Sequence, residues 1–143
     1  MNSNNSVAVI LDMDGTMVDN MGIHMEAWQS LFRELGLNLT LDQVGDKAYG
    51  RSLHVIHRVF PNRFTEEEVR ELIHRKEEAY RDIFLPRLQL LPGLEKLINS
   101  LHSKGLRMGI GTGADRPKVD FLLDNLGLRD FFSALNFLQP DQK

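Results

Sequence analysis

The sequence predicts an α/β protein: a parallel sheet of about three strands, interrupted after its first strand by an all-helical insert. Three observations lead there. Short apolar runs at residues 7–11, 106–110 and 133–138 read as strands. Helical periodicity occupies the ground between the later runs. A long segment, 17–88, carries no strand signal and begins directly after the first run.

The elements follow in order. Met1-Asn2-Ser3-Asn4-Asn5-Ser6 is polar, lacks the charged and apolar regions of a signal peptide, and reads as a disordered lead-in. Val7-Ala8-Val9-Ile10-Leu11 is apolar without polar alternation and rich in β-branched residues, so a buried parallel strand is predicted. Residues 22–35 place Ile23, Ala27, Leu31 and Leu35 on one helical stripe, with Gly36 as the stop. Residues 41–60 look helical but broken near Gly45 and Gly50, and Pro61-Asn62 makes a turn. Thr65-Glu66-Glu67-Glu68 is a capping box that opens a charged helix to about Phe84. Pro86 marks the next change of character. Pro92-Gly93 opens a helix that ends at Lys104-Gly105. Residues 106–110 form a second strand, then Gly111-Thr112-Gly113-Ala114 a small-residue turn, then 116–125 a helix stopped near Gly127. The predicted sheet core is thus 1–16 with 89–143, and the helical insert is 17–88.

Composition narrows the function. Hydrophobic residues make up 42% and charged residues 26% of 143, the balance of a globular protein. A net charge of −3 with dispersed Lys and Arg offers no basic footprint, which argues against nucleic acid as a partner. No cysteine is present, so a disulfide scaffold, a thiolate zinc site and a cysteine nucleophile are excluded; this suits a reducing cytoplasm. No apolar run approaches the roughly 18 residues of a membrane span, and no membrane partner is expected.

The chemistry-bearing residues stand where the strands end. Ligands of open α/β sheets bind at the carboxyl ends of strands, and Asp12 and Asp14 follow the first one. Two residues apart in extended chain, they leave the same face. Paired carboxylates repel and favour a cation beside them. Magnesium takes hard oxygen ligands and commonly shares them with phosphate. One carboxylate can then attack phosphorus, and the other can give and take a proton. Gly15 allows a sharp bend close to a ligand. After the second strand, the Thr112 hydroxyl, nearby backbone N–H groups and a helix start would form a phosphate cradle. A bland alternative exists, a strand-end turn capped by Asp-x-Asp-Gly. A calcium loop fails on spacing, because the glycine comes fourth instead of sixth and position twelve is Ile23.

Asp12-Met13-Asp14-Gly15-Thr16-Met17-Val18-Asp19 after an apolar strand resembles the first motif of the haloacid dehalogenase superfamily, Asp-x-Asp-Gly-Thr-x-x-Asp. Thr112 matches the Ser or Thr of its second motif; the Asn common after it is Gly113 here. His24-Met25-Glu26-Ala27-Trp28, Gly50-Arg51-Ser52 and Arg75-Lys76 resemble the β-phosphoglucomutase-like branch with its small helical cap. The resemblance implies a partial Rossmann-like core with an inserted cap, and Mg2+-dependent phosphoryl transfer through an aspartyl-phosphate. The substrate would be a small phosphorylated metabolite, a sugar phosphate, handled by a phosphatase or a phosphomutase. Asp12 would be the nucleophile and Asp14 the acid/base. The Asp12 carboxylate and Asp14 carbonyl would bind magnesium. Gly15, Thr16, Thr112 and Gly113 would hold the phosphate. His24, Arg51 and Lys76 would meet substrate or position the acid/base when the cap closes.

Each of these cap residues also has a plain structural reading. His24 and Trp28, one helical turn apart, could be packing residues, and Arg51 an ordinary surface arginine. Lys76 lies in the run Arg75-Lys76-Glu77-Glu78, which normally forms a solvated helix face. Asp19 reads as a structural carboxylate near the cap hinge. His54 and His57 sit at helical spacing without a third ligand and read as surface residues; His74 and His102 carry no signal. Two later family motifs, a lysine and an acidic set, are not identifiable, and no role is carried to Lys143. A fragment is therefore expected, with the far edge of the first strand uncovered and open to self-association. The alternative function is a weak or inactive phosphate-binding or self-associating remnant.

Overall fold

The computed structural model describes residues 7–138, backbone only at 137 and 138. The lead-in 1–6 and the stretch 139–143, with Lys143, lie outside the described residues. The chain divides into a sheet unit, up to Asn20 and from Leu88 onward, and a helical unit, Met21–Arg87. The sequence set these boundaries at 16/17 and 88/89. Residues 17–20 belong with the sheet because their bonds point there: Met13 O accepts from Met17 N at 2.8 Å, and Met17 O accepts from Leu91 N at 2.9 Å.

The sheet unit contains β1 (Ala8–Leu11), α5 (Leu94–Ser103), β2 (Arg107–Asp115), α6 (Arg116–Leu126) and β3 (Ala134–Leu138), the helical unit supplying the four helices between β1 and α5. The strands are parallel in the order β1-β2-β3, with Leu11 opposite Ile110 and Ile110 opposite Leu135. Helix α5 packs on β2, and α6 on β2 and β3. Met108, Ile110, Val119, Leu122 and Leu123 fill the interior. Gly127, at φ 65°, ends α6 as the sequence predicted.

Two expectations are corrected. Predicted as buried, β1 is an edge strand of the described sheet, in line with the uncovered far edge also expected, and its Ile10 is 73% exposed. Its continuous apolar pattern resembles that of a two-sided buried strand, and pattern alone does not report which neighbours are present. The second correction concerns Gly111-Thr112-Gly113-Ala114, predicted as a turn and found inside β2. The pairing with β3 continues through Gly111 opposite Asn136 and, after a register irregularity, Asp115 opposite Leu138. Glycine in a strand commonly marks close approach or a bulge, and both occur here. A Cβ on Gly109 would lie 3.3 Å from the Ala134 carbonyl oxygen; one on Gly111 would lie 3.1 Å from Ile10 Cγ2.

The two glycines therefore differ in what can yield. Gly109→Val is expected to cost about 1–3 kcal/mol, because the backbone of β3 must shift. Gly111→Ala should stay within about 0.5 kcal/mol, because the exposed Ile10 side chain can swing aside. Urea midpoints read by far-ultraviolet circular dichroism check both, and equal losses would refute this account of the strand glycines.

The helical unit comprises α1 (Met21–Glu34), α2 (Leu41–Gly45), α3 (Ser52–Val59) and α4 (Glu66–Phe84). The predicted break in 41–60 falls between α2 and α3, with Gly50 at φ 80°. Thr65 and Glu68 form the predicted reciprocal capping box, and Thr40 with Gln43 forms a second. Asn62 takes a left-handed φ of 56° in the turn after Pro61. The α1 stripe buries Ile23, Ala27 and Leu31, with Leu35 partly buried. Trp28 and Phe32 widen it into a core with Val44, Val55, Ile56, Phe60, Val69 and Leu72. Arg87 grips the Glu26 carboxylate with two bonds of 2.9 and 2.7 Å. This pairing holds the Glu26 carboxyl below its ordinary range.

Candidate active site

In the sheet unit the site grows from the end of β1. Past Leu11 the chain leaves the ladder, and Asp12 is exposed with its Oδ1 accepting from Met13 N at 2.8 Å. Met13 points inward, fully buried, so the alternation of extended chain turns Asp12 and Asp14 away from the core. Gly15 takes φ 70°, and its N–H donates to Val18 O at 2.9 Å. This closes a tight loop anchored by the fully buried Met17 and Val18. A non-glycine residue at that φ would be strained. Thr16 is exposed on the same loop.

Asp14 is half-buried and bridges to Val18 through its backbone. Its Oδ1 accepts from Asn20 Nδ2 at 2.5 Å, and Asn20 is fully buried. Asn20 thus fixes one oxygen of the predicted acid/base. The sequence does not single it out: an Asn just before a helical run reads as a helix cap, and the neighbouring Asp19 is exposed. The available signal was the neighbouring polar pair at the entrance to α1, where one side chain had to turn inward.

Thr112 lies on β2, two residues beyond the position paired with Leu11, so the neighbouring strand ends bring it to the same end of the sheet as Asp12. Its Oγ1 accepts from Ala114 N at 3.1 Å, which orients the hydroxyl. Gly113 is exposed, with open space where a Cβ would be. The helix after Thr112 starts where the sequence predicted. At the start of α6, Arg116, the Asp115 carboxylate caps the helix, accepting from Lys118 N at 3.2 Å. Thr112 and main-chain groups of β2 are what remain for an anion.

In the helical unit, His24 and Lys76 come together. Lys76 Nζ lies 3.0 Å from His24 Nδ1 and 2.9 Å from Glu77 Oε1, with the side chain only 2% exposed. The His24 ring stacks on Tyr80 with centroids 4.4 Å apart. The ammonium also faces the rings of Trp28 at 5.3 Å and Tyr80 at 5.5 Å. The solvated-face reading of Arg75-Lys76-Glu77-Glu78 is therefore wrong for Lys76. A charge this buried needs partners, and a carboxylate, an imidazole and two aromatic faces supply them. Composition of the run could not show this, but the 24/28 and 76/80 spacings, each one helical turn, put aromatics beside both residues. Arg51 is exposed at the N-cap of α3 and makes no side-chain cap bond. His57 pairs with Glu66 at 3.5 Å, and His54 is exposed.

Residues 7–142 match the haloacid dehalogenase-like hydrolase family. Two relatives are examples of named activities among similar chains. A fructose-1-phosphate phosphatase of Escherichia coli is 28% identical over 127 residues, covering 89% of this chain and 66% of the relative. A beta-phosphoglucomutase of Bacillus subtilis is 27% identical over 137 residues, covering 90% of this chain and 59% of the relative. The fold is shared with a family IA hydrolase from Entamoeba histolytica, with a TM-score of 0.82 at 21% identity over 95% of this chain and 63% of that one. The chain therefore spans less than two thirds of each of these relatives. The match runs from the first residue of the apolar run before Asp12 to beyond β3, so both carboxylates and Thr112 fall inside it, and the chain belongs to the haloacid dehalogenase-like hydrolase family.

Proposed function

We propose that the chain carries a magnesium-dependent phosphoryl-transfer site that works through an aspartyl-phosphate on sugar phosphates, as a phosphatase or a β-phosphoglucomutase-like phosphomutase. The observation that carries this reading is the exposed Asp12 at the carboxyl end of β1, with Asp14 held by Asn20 and Thr112 on the adjoining strand. Asp12 attacks phosphorus, and the ester oxygen leaves with a proton from Asp14. Asp14 then takes a proton from water, or from the hydroxyl of a second sugar phosphate, as that oxygen displaces Asp12. Phosphate or a new ester is released, and both carboxyl groups return to their starting states. Asn20 keeps one Asp14 oxygen fixed, leaving the other to exchange the proton. His24, Arg51 and Lys76, in the helical unit, would select the substrate.

The donor set suits magnesium. The Asp12 carboxylate and the Asp14 carbonyl are hard oxygens. Among the described residues no group of three or more His, Cys, Asp or Glu gathers to hold a metal by itself. An ion would fill its remaining positions with phosphate oxygens and water. Bound there, it would supply charge neutralisation for the transferring phosphoryl group. The sugar-phosphate reading draws on the names of the two relatives above and on Arg51 and Lys76. Among the described residues no helix is long and apolar enough to cross a membrane; with no cysteine in the chain, we expect it to act in the cytoplasm. Phosphate release from a panel of hexose phosphates, with magnesium and with a chelator, tests the proposal. Release should require magnesium; release that survives complete chelation would refute the metal dependence, and no release from any ester would refute the activity.

A further inference from the structure

The connection between α2 and α3, residues 46–51, carries Arg51 and is gripped by a side chain that the proposed chemistry leaves unused. Arg58 lies seven residues after Arg51, two turns along α3 and on the same face. Helical side chains lean toward the N-terminus, so Arg58 runs back over the connection. Its Nη1 donates to Lys47 O at 2.7 Å and to Tyr49 O at 3.0 Å. Its guanidinium carbon sits 3.6 Å from the centroid of the Tyr49 ring. A planar guanidinium can serve carbonyls in its plane and an aromatic ring on its face together; an ammonium cannot reproduce that geometry.

The rest of the connection explains why this grip matters. Its first half is tied by Lys47 N and Ala48 N, which donate to Val44 O at 3.0 and 2.7 Å. Beyond Tyr49 the chain turns through Gly50 at φ 80° directly into Arg51. Glycine gives that turn little stiffness of its own. The carbonyl held by Arg58 is the last fixed point before Gly50 among the bonds above.

We propose that Arg58 is a positioning residue: by holding the Lys47 and Tyr49 carbonyls and the Tyr49 ring, it fixes the approach to Gly50 and so the direction of Arg51. Through Arg51 it sets the preference for phosphate esters that carry further polar or charged groups over simple aryl phosphates. The selection half of this inference rests on the phosphoryl-transfer reading; the grip on the connection does not.

Two measurements on the full chain keep these apart. The first is tryptic cleavage after Lys47 and Arg51, followed by mass spectrometry. Arg58→Ala should accelerate it about tenfold by raising local opening, with Trp28 emission and the thermal midpoint unchanged. Arg58→Lys should fall between. Equal rates in all three proteins would overturn the grip, whatever the activity. The second compares a hexose phosphate with p-nitrophenyl phosphate. Arg58→Ala should raise KM for the hexose phosphate about tenfold, the effect of losing one well-placed contact, with kcat and the aryl phosphate kinetics little changed. Arg58→Lys behaving like wild type would reduce Arg58 to a charge, and parallel losses on both esters would make it merely structural; either overturns the positioning role. A wild-type chain that turns over neither ester refutes the phosphoryl-transfer reading and the selection half with it, while the cleavage rates still decide the grip.

Discussion

Asp12→Asn is expected to lower phosphoryl transfer by on the order of 10⁴-fold or more, the scale seen when a covalent nucleophile is removed, without disturbing the fold. The substitution is nearly isosteric, and the amide oxygen can still accept the Met13 N–H that Asp12 Oδ1 accepts at 2.8 Å. Asp12 is exposed, so exchanging charge for amide should change stability by less than about 0.5 kcal/mol. What would disappear is the carboxylate oxygen proposed to bond to phosphorus. Acid-quenched wild-type protein, mixed with substrate and magnesium, should carry one phosphoryl group on the Asp12 peptide by mass spectrometry. The variant should carry none at unchanged thermal midpoint. Label on another residue, or turnover equal to wild type, would move the nucleophile elsewhere.

The candidate residues after β1 were legible because they are adjacent in sequence. Asp12, Asp14, Gly15 and Thr16 fall within five consecutive positions, so one strand end and one glycine bend place them together. Asn20 was not legible in the same way. Its partner is six residues away across a tight loop, and an asparagine before a helix has a commoner role as a cap. The same limit governs the helical unit. His24 and Lys76 are 52 residues apart, and their 3.0 Å contact arises from the packing of α1 on α4. A charged run such as Arg75-Lys76-Glu77-Glu78 reports average exposure, whereas burial is decided residue by residue around a helix. At 100° per residue, Lys76 faces inward with Val69, Leu72 and Tyr80, while Arg75 and Glu78 stay in solvent.

Fold class was read from contrasts that survive without tertiary information: apolar runs of strand length, capping boxes, and glycines past helix ends. What sequence could not supply was the neighbour. Residues 111–114 look like a turn because glycine and threonine are turn residues. Their role in β2 appears only when β3 is set beside them, with Gly111 opposite Asn136 and Asp115 opposite Leu138. Likewise β1 carries the composition of a buried strand while its Ile10 stays 73% exposed. In both cases the pattern records what a segment tolerates, and the partner decides which tolerance is used.

The largest stability effect is expected at a position the α1 stripe omitted. Phe32→Ala should destabilise the helical unit by about 3–5 kcal/mol, the range for truncating a buried phenylalanine. Phe32 is fully buried, 5.5 Å from the Trp28 ring centroid and 5.9 Å edge-on from Phe60, which in turn contacts Phe64. It thus joins α1 to the end of α3, and the cavity left by alanine is bounded by rings whose helices also pack elsewhere, so collapse is limited. Domains of ordinary size have about 5–15 kcal/mol in total, so much of the stability of this unit would go. Trp28 is the only tryptophan in the chain and lies against Phe32, so its emission reports this unit alone. In urea its red shift should move to a much lower midpoint in Phe32→Ala. Phe32→Leu, which keeps most of the volume, should lose less than half as much. A Phe32→Ala midpoint equal to wild type would mean that the rings around Phe32 close the cavity, contrary to the packing of α1 against Phe60.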